Sequence, residues 1–485
     1  MAATVRHART GADTMQTMRE RFRLRRDVTL AGDDAEYLGL RLGDYEIALA
    51  GCDLASRALL LRLANGWVDA ESLHRLPGGA GSQPLRARAL LLRLLALSLL
   101  DRRAELPGRP LLEVLPHAAR VGAERRSGQP SVPASCRLSR FVVLRPDAAG
   151  LVARSPLSAT AIRCLDPQLV RLLCAAATGE HTPAELAEQL DVDTDSARSI
   201  VAELAAARIL VSAGVHTTEH HAQPYLFWSV EELQLHDRSR PGRHALPLGG
   251  TRRFEGRVAP APLASHRPCI RTVELTPPDP GAVTGGDATL SDLLAARRSI
   301  REHDPAHPIS LAQLGEFLYR VQRTRSAGVR YGQELGARPY PSGGGICELE
   351  VYPAVWRCDG LAPGLYHYDG LAHRLELLGD EAGRLSAILD YARASLGAGE
   401  LPQVLLVVTA RVARLLWRYE GMGYAMTLKH AGVLTELMYL VATAMRLAPC
   451  AVGGGDSVAF AQLSGLDPIE EPSIAEFALG SVGAR

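Results

Sequence analysis

From Thr289 to the C-terminus, apolar runs of two different periods follow one another without regular alternation, and this mixture limits the architecture more than any other feature. Ser291 is placed to N-cap a short helical pattern, DLLAARRS, and Ser310 to cap a second, LAQLGEFLYRVQ. Strand-like runs come next at 349–357, 364–369 and 373–378, then a helix over 381–396 and an apolar strand over 404–412. A long apolar helix pattern from Ala425 to Ala448 precedes CAVGGG, a helix DSVAFAQLSGL and a last strand AEFALGSV. The mixture predicts an α+β domain rather than a Rossmann fold. No G-x-G-x-x-G follows a strand, so a nicotinamide-binding unit is not indicated.

A chain of 485 residues has room for two or three domains. The first half carries a weak internal repeat. Asp53 to Leu73 and Cys164 to Leu186 share an apolar pattern and a glycine-containing turn. Each follows a strand-like stretch, Phe22 to Leu30 or Arg140 to Arg145, and each precedes a further helical pattern. That is the layout of a winged helix in two tandem copies. The expected organisation is a disordered N-terminus (1–19), winged-helix-like modules at 20–135 and 136–215, an extended linker (216–288) and the C-terminal α+β domain (289–485). Residues 104–135 and 213–290, rich in Pro, Gly, Arg and His, read as linkers and extended connections.

Charge narrows the partners. The formal net charge is +1, which gives no electrostatic case for nucleic acid or a membrane surface. The turn and third helix of the second module carry Glu185, Glu188, Asp191, Asp193, Asp195 and Glu203 against Arg198 and Arg208, a surface that phosphates would repel. Peptide binding or structural support fits it better. Eight scattered cysteines form no C-x-x-C or C-x-x-H arrangement, so neither a disulfide framework nor a metal site is expected. The most apolar stretch, Leu90 to Leu100, is interrupted by Arg93 and too short for a bilayer, and no signal peptide is evident; a cytoplasmic protein is expected.

Three clusters could carry chemistry. In Arg297-Arg298-Ser299-Ile300-Arg301, alternating Arg, Ser and Arg could present two cations and a hydroxyl to one phosphate or ribityl chain. A solvated basic helix end is the plainer reading. In Arg338-Pro339-Tyr340-Pro341-Ser342-Gly343-Gly344-Gly345, three glycines allow backbone amides to approach a flat ligand, though a flexible turn reads the same way. Gly453-Gly454-Gly455-Asp456 opens a short helix whose amides could face an anion or a carbonyl; it is equally a tight turn.

Together, in this order and spacing, the three are more specific. The region from about Ser291 to Val482 resembles the nitroreductase superfamily, and within it the SagB-type (McbC-like) azoline dehydrogenases that modify ribosomally made peptides. The likeness is carried by R-x-S-x-R at Arg297, Ser299 and Arg301, RPYPSGGGICELEVYPAV, GLYHYDGLAHRLELL, WRYEGMGYAMTLKHAGVLTELMYLVATAMRL and CAVGGGDSVAFAQLSGLD. Upstream, LQLHDRSRPGRHALPLGGTRRFEG is similar to the segment preceding the flavin domain in that family, and the winged-helix pair resembles its peptide-binding modules.

The resemblance implies FMN as cofactor. Arg297, Ser299 and Arg301 would hold its phosphate and ribityl chain. Pro341, Ser342, Gly343, Gly344 and Gly345 would lie along the isoalloxazine, and Gly453, Gly454 and Gly455 would approach from another strand end. It also implies a two-fold homodimer and a precursor peptide bearing azolines, with a cyclodehydratase as possible partner. The reaction would be oxidation of thiazoline or oxazoline rings to thiazole or oxazole. A base would take the Cα proton while hydride passes to flavin N5, and dioxygen would reoxidise the flavin.

Arg418-Tyr419 occupies the place of the family's catalytic Lys-Tyr pair. Tyr419 matches; Arg418 can supply a cation but cannot accept a proton. Where the family often reads Glu-Ala-Gly-His and then Gln-Asn, this chain has His430-Ala431-Gly432-Val433 and Glu436-Leu437, which changes the polarity expected of the pocket. Lys429, the sole lysine, and His430 read as a solvated and a structural residue. Two further readings compete: an NAD(P)H-dependent flavin reductase or nitroreductase, and a catalytically impaired subunit that binds a peptide or partner.

Overall fold

The computed structural model describes residues 18–483 apart from 34–37, 43–44, 50–52, 70–71, 73–82, 118–131, 245, 280 and 282–286. The expected disordered stretch 1–19 therefore lies almost wholly outside the described residues. The chain divides into two compact units, Met1–Leu246 and Pro247–Arg485.

In the first unit, strands β1 (Arg19–Leu24), β5 (Val68–Asp69), β6 (Leu100–Leu106), β7 (Arg109–Pro116), β9 (Val143–Asp147), β10 (Gly150–Arg154) and β11 (Thr160–Cys164) form one antiparallel sheet in the order β5-β1-β6-β7-β11-β10-β9. Strands from 20–135 and from 136–215 thus share a single sheet. Helices α1 (Leu54–Asn65) and α2 (Gln83–Ala96) accompany the first set. Helices α3 (Pro167–Thr178), α4 (Pro183–Leu190) and α5 (Thr194–Ala206) accompany the second. Leu169, Leu172, Leu186, Ile200 and Leu204 of those three helices meet in one core.

Several of the acidic residues of this region have local structural work. Glu185 completes a capping box with Thr182, Asp193 caps α5 through the Ser196 amide, and Glu203 pairs with Arg102.

Four local expectations need correcting here. The stretch Phe22 to Leu30 is not one strand. It breaks where the Arg25 guanidinium grips the Asp27 carboxylate, at 3.0 and 2.6 Å, and β2 (Val28–Asp33) then enters a separate three-stranded sheet. Likewise Arg140 lies in a turn, closed by the Val142 amide on the Ser139 carbonyl, before β9 begins. Residues 104–116 are strand rather than linker, because β6 and β7 pair as a hairpin. Residues 216–288 are not extended throughout. Ser212 and Ser229 side chains cap helices α6 (Ala213–His221) and α7 (Val230–Arg238).

The second unit is built on a seven-stranded antiparallel sheet in the order β13-β18-β17-β16-β19-β21-β20. Its strands are β13 (Arg271–Glu274), β16 (Leu349–Val355), β17 (Gly364–Asp369), β18 (Arg374–Gly379), β19 (Val404–Ala410), β20 (Leu447–Val452) and β21 (Ser473–Ser481). Both faces are covered. Leu349, Val351 and Val355 alternate with Tyr352 and Ala354, the first set joining one core and the second the other. Helices α9 (Leu311–Gln322) and α12 (Gly423–Ala444) cover one face; α10 (Ala382–Leu396) and α13 (Ser457–Ser464) cover the other. This is the α+β layout expected from sequence. A hairpin of β14 (Arg325–Arg330) and β15 (Gln333–Ala337), for which sequence gave no signal, stands outside the main sheet.

The N-cap of the first helix in this unit is Thr289, not Ser291, and that helix, α8 (Leu290–Ala296), stops before the arginines. Residues 258–264 form a strap pinned by its backbone to α11 (Val412–Arg418). Trp417 Nε1 donates to the Val258 carbonyl at 2.7 Å, Arg414 to Ala261 at 2.8 Å, and Arg411 to Pro262 and Leu263 at 2.8 and 2.9 Å.

Arg414 is fully buried, and its guanidinium also donates to the carbonyls of Glu334 and Ile346. Burial, together with the charge of neighbouring Arg411, pulls its pKa down to about 10. Arg414→Met leaves several buried carbonyls without donors and is expected to cost about 3 kcal/mol or more. Arg414→Lys, with one compact ammonium, restores little of it. Denaturant unfolding of the three proteins checks this.

Candidate functional site

The turn 341–345 is fixed from both ends. Upstream, buried Arg338 donates to Tyr340 Oη at 3.0 Å and to the Leu349 carbonyl, while Tyr340 Oη donates to Gln322 at 3.0 Å. Downstream, Ser342 Oγ donates to the buried Glu348 carboxylate at 3.1 Å and accepts from the Cys347 amide at 2.9 Å. The other Glu348 oxygen meets His430 Nδ1, and His430 Nε2 accepts from the Gly343 amide at 3.0 Å. With Nε2 accepting from Gly343, Nδ1 is the ring nitrogen that donates, to the Glu348 carboxylate. His430 is thus structural, as the sequence suggested, and its particular task is to lock the glycine turn.

The glycines permit close approach. A Cβ at Gly343 would stand 2.3 Å from Met426 Cε. Gly344 has φ +65°, and a Cβ there would stand 2.7 Å from Arg418 Nη1 and 3.3 Å from Tyr419 Oη. The turn and the Arg418-Tyr419 pair are therefore neighbours. Around the pair, the Arg252 amide donates to the Arg418 carbonyl, and Glu420 pairs with Gly249 in an antiparallel bridge.

The first cluster lies elsewhere on α12. Arg297 is the C-cap of α8, and beyond it the chain runs along β20, where the Ile300 amide donates to the Pro449 carbonyl at 2.8 Å. Ser299 Oγ is 2.9 Å from Tyr439 Oη, and the Arg297 guanidinium lies 5.3 Å from the Tyr439 ring centroid. Tyr439 Oη also accepts from the Ala451 amide at 2.8 Å. Tyr439 thus ties the Arg-x-Ser arm to the strand that ends in Val452-Gly453. Arg301 is exposed and has no partner among the described residues.

Gly453, Gly454 and Gly455 line a cleft of about 440 Å³ with Tyr424, Leu428, Gly432 and Thr435 of α12 and Glu476 of β21. At 100° per residue, Leu428 and Gly432 project roughly opposite Met426 and His430 on α12. Within one chain, then, the two glycine turns lie against different sides of the same helix and are not brought together.

Sequence reasoning missed Tyr439, Glu348 and Glu476, because nothing in an apolar helix pattern or a strand marks which polar residue turns inward. Glu476 is 7% exposed, and burial pushes its carboxyl up to about 7 from an ordinary 4.5. Glu350 shows the opposite sign. Although buried, it is held down to about 2 by a hydrogen bond from His367 and the charges of Arg338 and Arg411.

Residues 294–481 match the Nitroreductase family model, and residues 136–245 match the model of the cyanobactin oxidase ThcOx. The C-terminal unit is a nitroreductase-family domain. A curated Methanocaldococcus jannaschii protein named as a nitroreductase is 27% identical over 167 residues, 34% of this chain and 78% of its own length. Among solved structures, a Ralstonia eutropha nitroreductase is 23% identical and aligns over 46% of this chain and 96% of its own, with a TM-score of 0.35. A chain of the Escherichia coli microcin synthetase McbBCD complex, bound to truncated pro-MccB17, is 20% identical over 48% of this chain and 86% of its own, with a TM-score of 0.33. The family resemblance read from sequence is met on both parts of the chain: an oxidoreductase domain of the nitroreductase superfamily, and upstream a segment of cyanobactin-oxidase type. Among the described residues no helix is long and apolar enough to cross a membrane.

The raised Glu476 carboxyl has a consequence for stability. The native state holds this proton more tightly than the unfolded chain does, so the contribution is fully present below about pH 4.5. It is lost as pH rises through about 7, and is worth on the order of 3 kcal/mol. Glu476→Gln is expected to flatten that part of the profile, as measured by denaturant unfolding at pH 5 and 8.

Proposed function

We propose that this chain is an FMN-dependent dehydrogenase that oxidises thiazoline or oxazoline rings in a ribosomally made precursor peptide to the aromatic azoles. The observation that carries the reading is the pairing, on one chain, of a nitroreductase-family domain with a ThcOx-type segment. A small-molecule reductase has no need of the second. A Desulfovibrio desulfuricans nitroreductase in complex with FMN is among the similar structures, and FMN suits the residues present. Arg297, Ser299 and the unpartnered Arg301 offer two cations and a hydroxyl to a phosphate and ribityl chain. Gly343, Gly344 and Gly345, and separately Gly453, Gly454 and Gly455, leave backbone surface open where a Cβ at Gly343, Gly344 or Gly455 would meet a neighbour.

A homodimer is part of this reading, and the placement of these groups supports it. A flat ligand touched by both glycine turns must take them from two copies, since in one chain they face opposite sides of α12. The same helix exposes Tyr424, Leu428 and Val433, and neighbouring α8 exposes Leu290 and Leu294, an apolar face suited to a second copy. The upstream segment would hold the precursor peptide, with a cyclodehydratase supplying the azolines.

Bound FMN supplies a two-electron acceptor for the ring oxidation. In the protein, Tyr419 Oη takes the proton released at Cα. Arg418, whose guanidinium carbon lies 5.6 Å from the Tyr419 ring centroid, places a positive charge beside that ring. Arg418 does not itself accept a proton. Locking of the 341–345 turn by His430 and Glu348 keeps the backbone beside this pair from shifting.

Purified protein is expected to be yellow, to hold one FMN per chain, and to remove about 2 Da per ring from a cyclised azoline peptide. Protein that stays colourless after incubation with FMN would sink the reading. Anaerobic mixing with NADPH separates it from a flavin reductase, which would bleach rapidly. Tyr419→Phe is expected to lower turnover by about 10²-fold or more while FMN stays bound. Unchanged turnover in that variant removes Tyr419 from the mechanism.

A further inference from the structure

Glu476 is a buried carboxyl that none of the roles above uses. Among the described residues its side chain takes no hydrogen bond and no ion pair, although it lines the Gly453–Gly455 cleft. It packs directly on the turn: a Cβ at Gly455 would stand 2.0 Å from Glu476 Oε1. Buried carboxyls without partners are uncommon because desolvation is not repaid, and one facing an open cleft has a place for a ligand to repay it.

We propose that Glu476 is a ligand-reading residue of this cleft, its carboxyl pairing through one O–H and one carbonyl oxygen with an amide-type edge, the pyrimidine edge of FMN. The proposal rests on the FMN reading above. A neutral carboxylic acid is both donor and acceptor and so matches an N–H beside a C=O; a carboxylate only accepts and would face the ligand carbonyl with like polarity. Burial alone sets the acid–base balance of Glu476 close to neutrality, so the match weakens as the group ionises.

No other titratable group at the cleft is placed to substitute. Asp456 is occupied with the Val458 and Ala459 amides at 3.1 and 2.9 Å. Tyr391 of α10 reaches only the neighbourhood of Gly454, Tyr424 of α12 is exposed, and Cys450 of β20 is buried. Strand β19 and helix α13 bring no ionisable side chain.

The test is FMN affinity, read by quenching of flavin fluorescence on the FMN-stripped full chain at pH 6 and pH 8.5. Wild-type Kd is expected to rise about tenfold or more between the two. Glu476→Gln, a neutral donor and acceptor at every pH, is expected to keep the low-pH affinity with less than about threefold change. The FMN phosphate ionises alike in both measurements and cancels between the two proteins. An equal rise in both overturns the proposal. So does Glu476→Ala binding FMN as wild type does at pH 6. If the Gln variant fails to fold, Gly455→Ala, which forces the carboxyl away, serves in its place. It is expected to weaken FMN at pH 6 and to flatten the pH response, and wild-type behaviour overturns the proposal. Wild-type protein that binds no FMN at either pH refutes the FMN reading itself, which is a different result.

Discussion

One buried guanidinium organises the C-terminal unit. Among the described residues Arg414 makes no ion pair; its donors go instead to backbone carbonyls at Ala261, Glu334 and Ile346. Each carbonyl belongs to a different piece of chain outside the main sheet: the strap before it, the 325–337 hairpin, and the end of the glycine turn. Irregular backbone cannot be buried unless its polar groups are paired, and a rigid five-donor fork can pair several at once. Four residues further along, the same short helix delivers Arg418, with Tyr419 beside it. The packing that buries the strap therefore also sets the position of the proposed proton acceptor.

Helix α12 is the second organising element. One side holds Met426 and His430 against the 341–345 turn, another lines the Gly453–Gly455 cleft with Leu428 and Gly432, and its C-terminal half anchors the Arg-x-Ser arm through Tyr439. Its apolar character serves two purposes. Leu434, Met438 and Ala442 are buried in the sheet's core, while Tyr424, Leu428 and Val433 remain exposed. A helix apolar on most sides is expected to be covered on most sides, which agrees with a second copy as occupant.

Two buried glutamates on the same sheet show how environment decides charge. Glu350 sits among His367, Arg338 and Arg411, and stays ionised. Among the described residues Glu476 makes no ion pair, so desolvation acts alone and moves it the other way. The strands carrying them read alike in sequence: a glutamate in an apolar run. Burial costs both; only the neighbours differ.

Period and capping were legible in the chain alone. Ser310 as a helix N-cap, strand 364–369, and most of the order of helices and strands after Thr289 came from local pattern, because they depend on residues a few positions apart. So did the Arg-x-Ser-x-Arg, Pro-Ser-Gly-Gly-Gly and Gly-Gly-Gly-Asp clusters and the Arg418 departure. Local pattern misled or was silent where distant groups intervene: it missed the break after Leu24 and the hairpin at 325–337, and it gave no sign that the carbonyls of 258–264 meet Trp417, Arg411 and Arg414. Only the tertiary structure decided that His430 locks a turn, that Tyr439 joins the Arg-x-Ser arm to β20, and that Glu476 faces a cleft unpaired among the described residues. The physical reason is the same in each case. A side chain's hydrogen-bond partner and its exposure to water belong to residues tens to hundreds of positions away, and periodicity does not encode them.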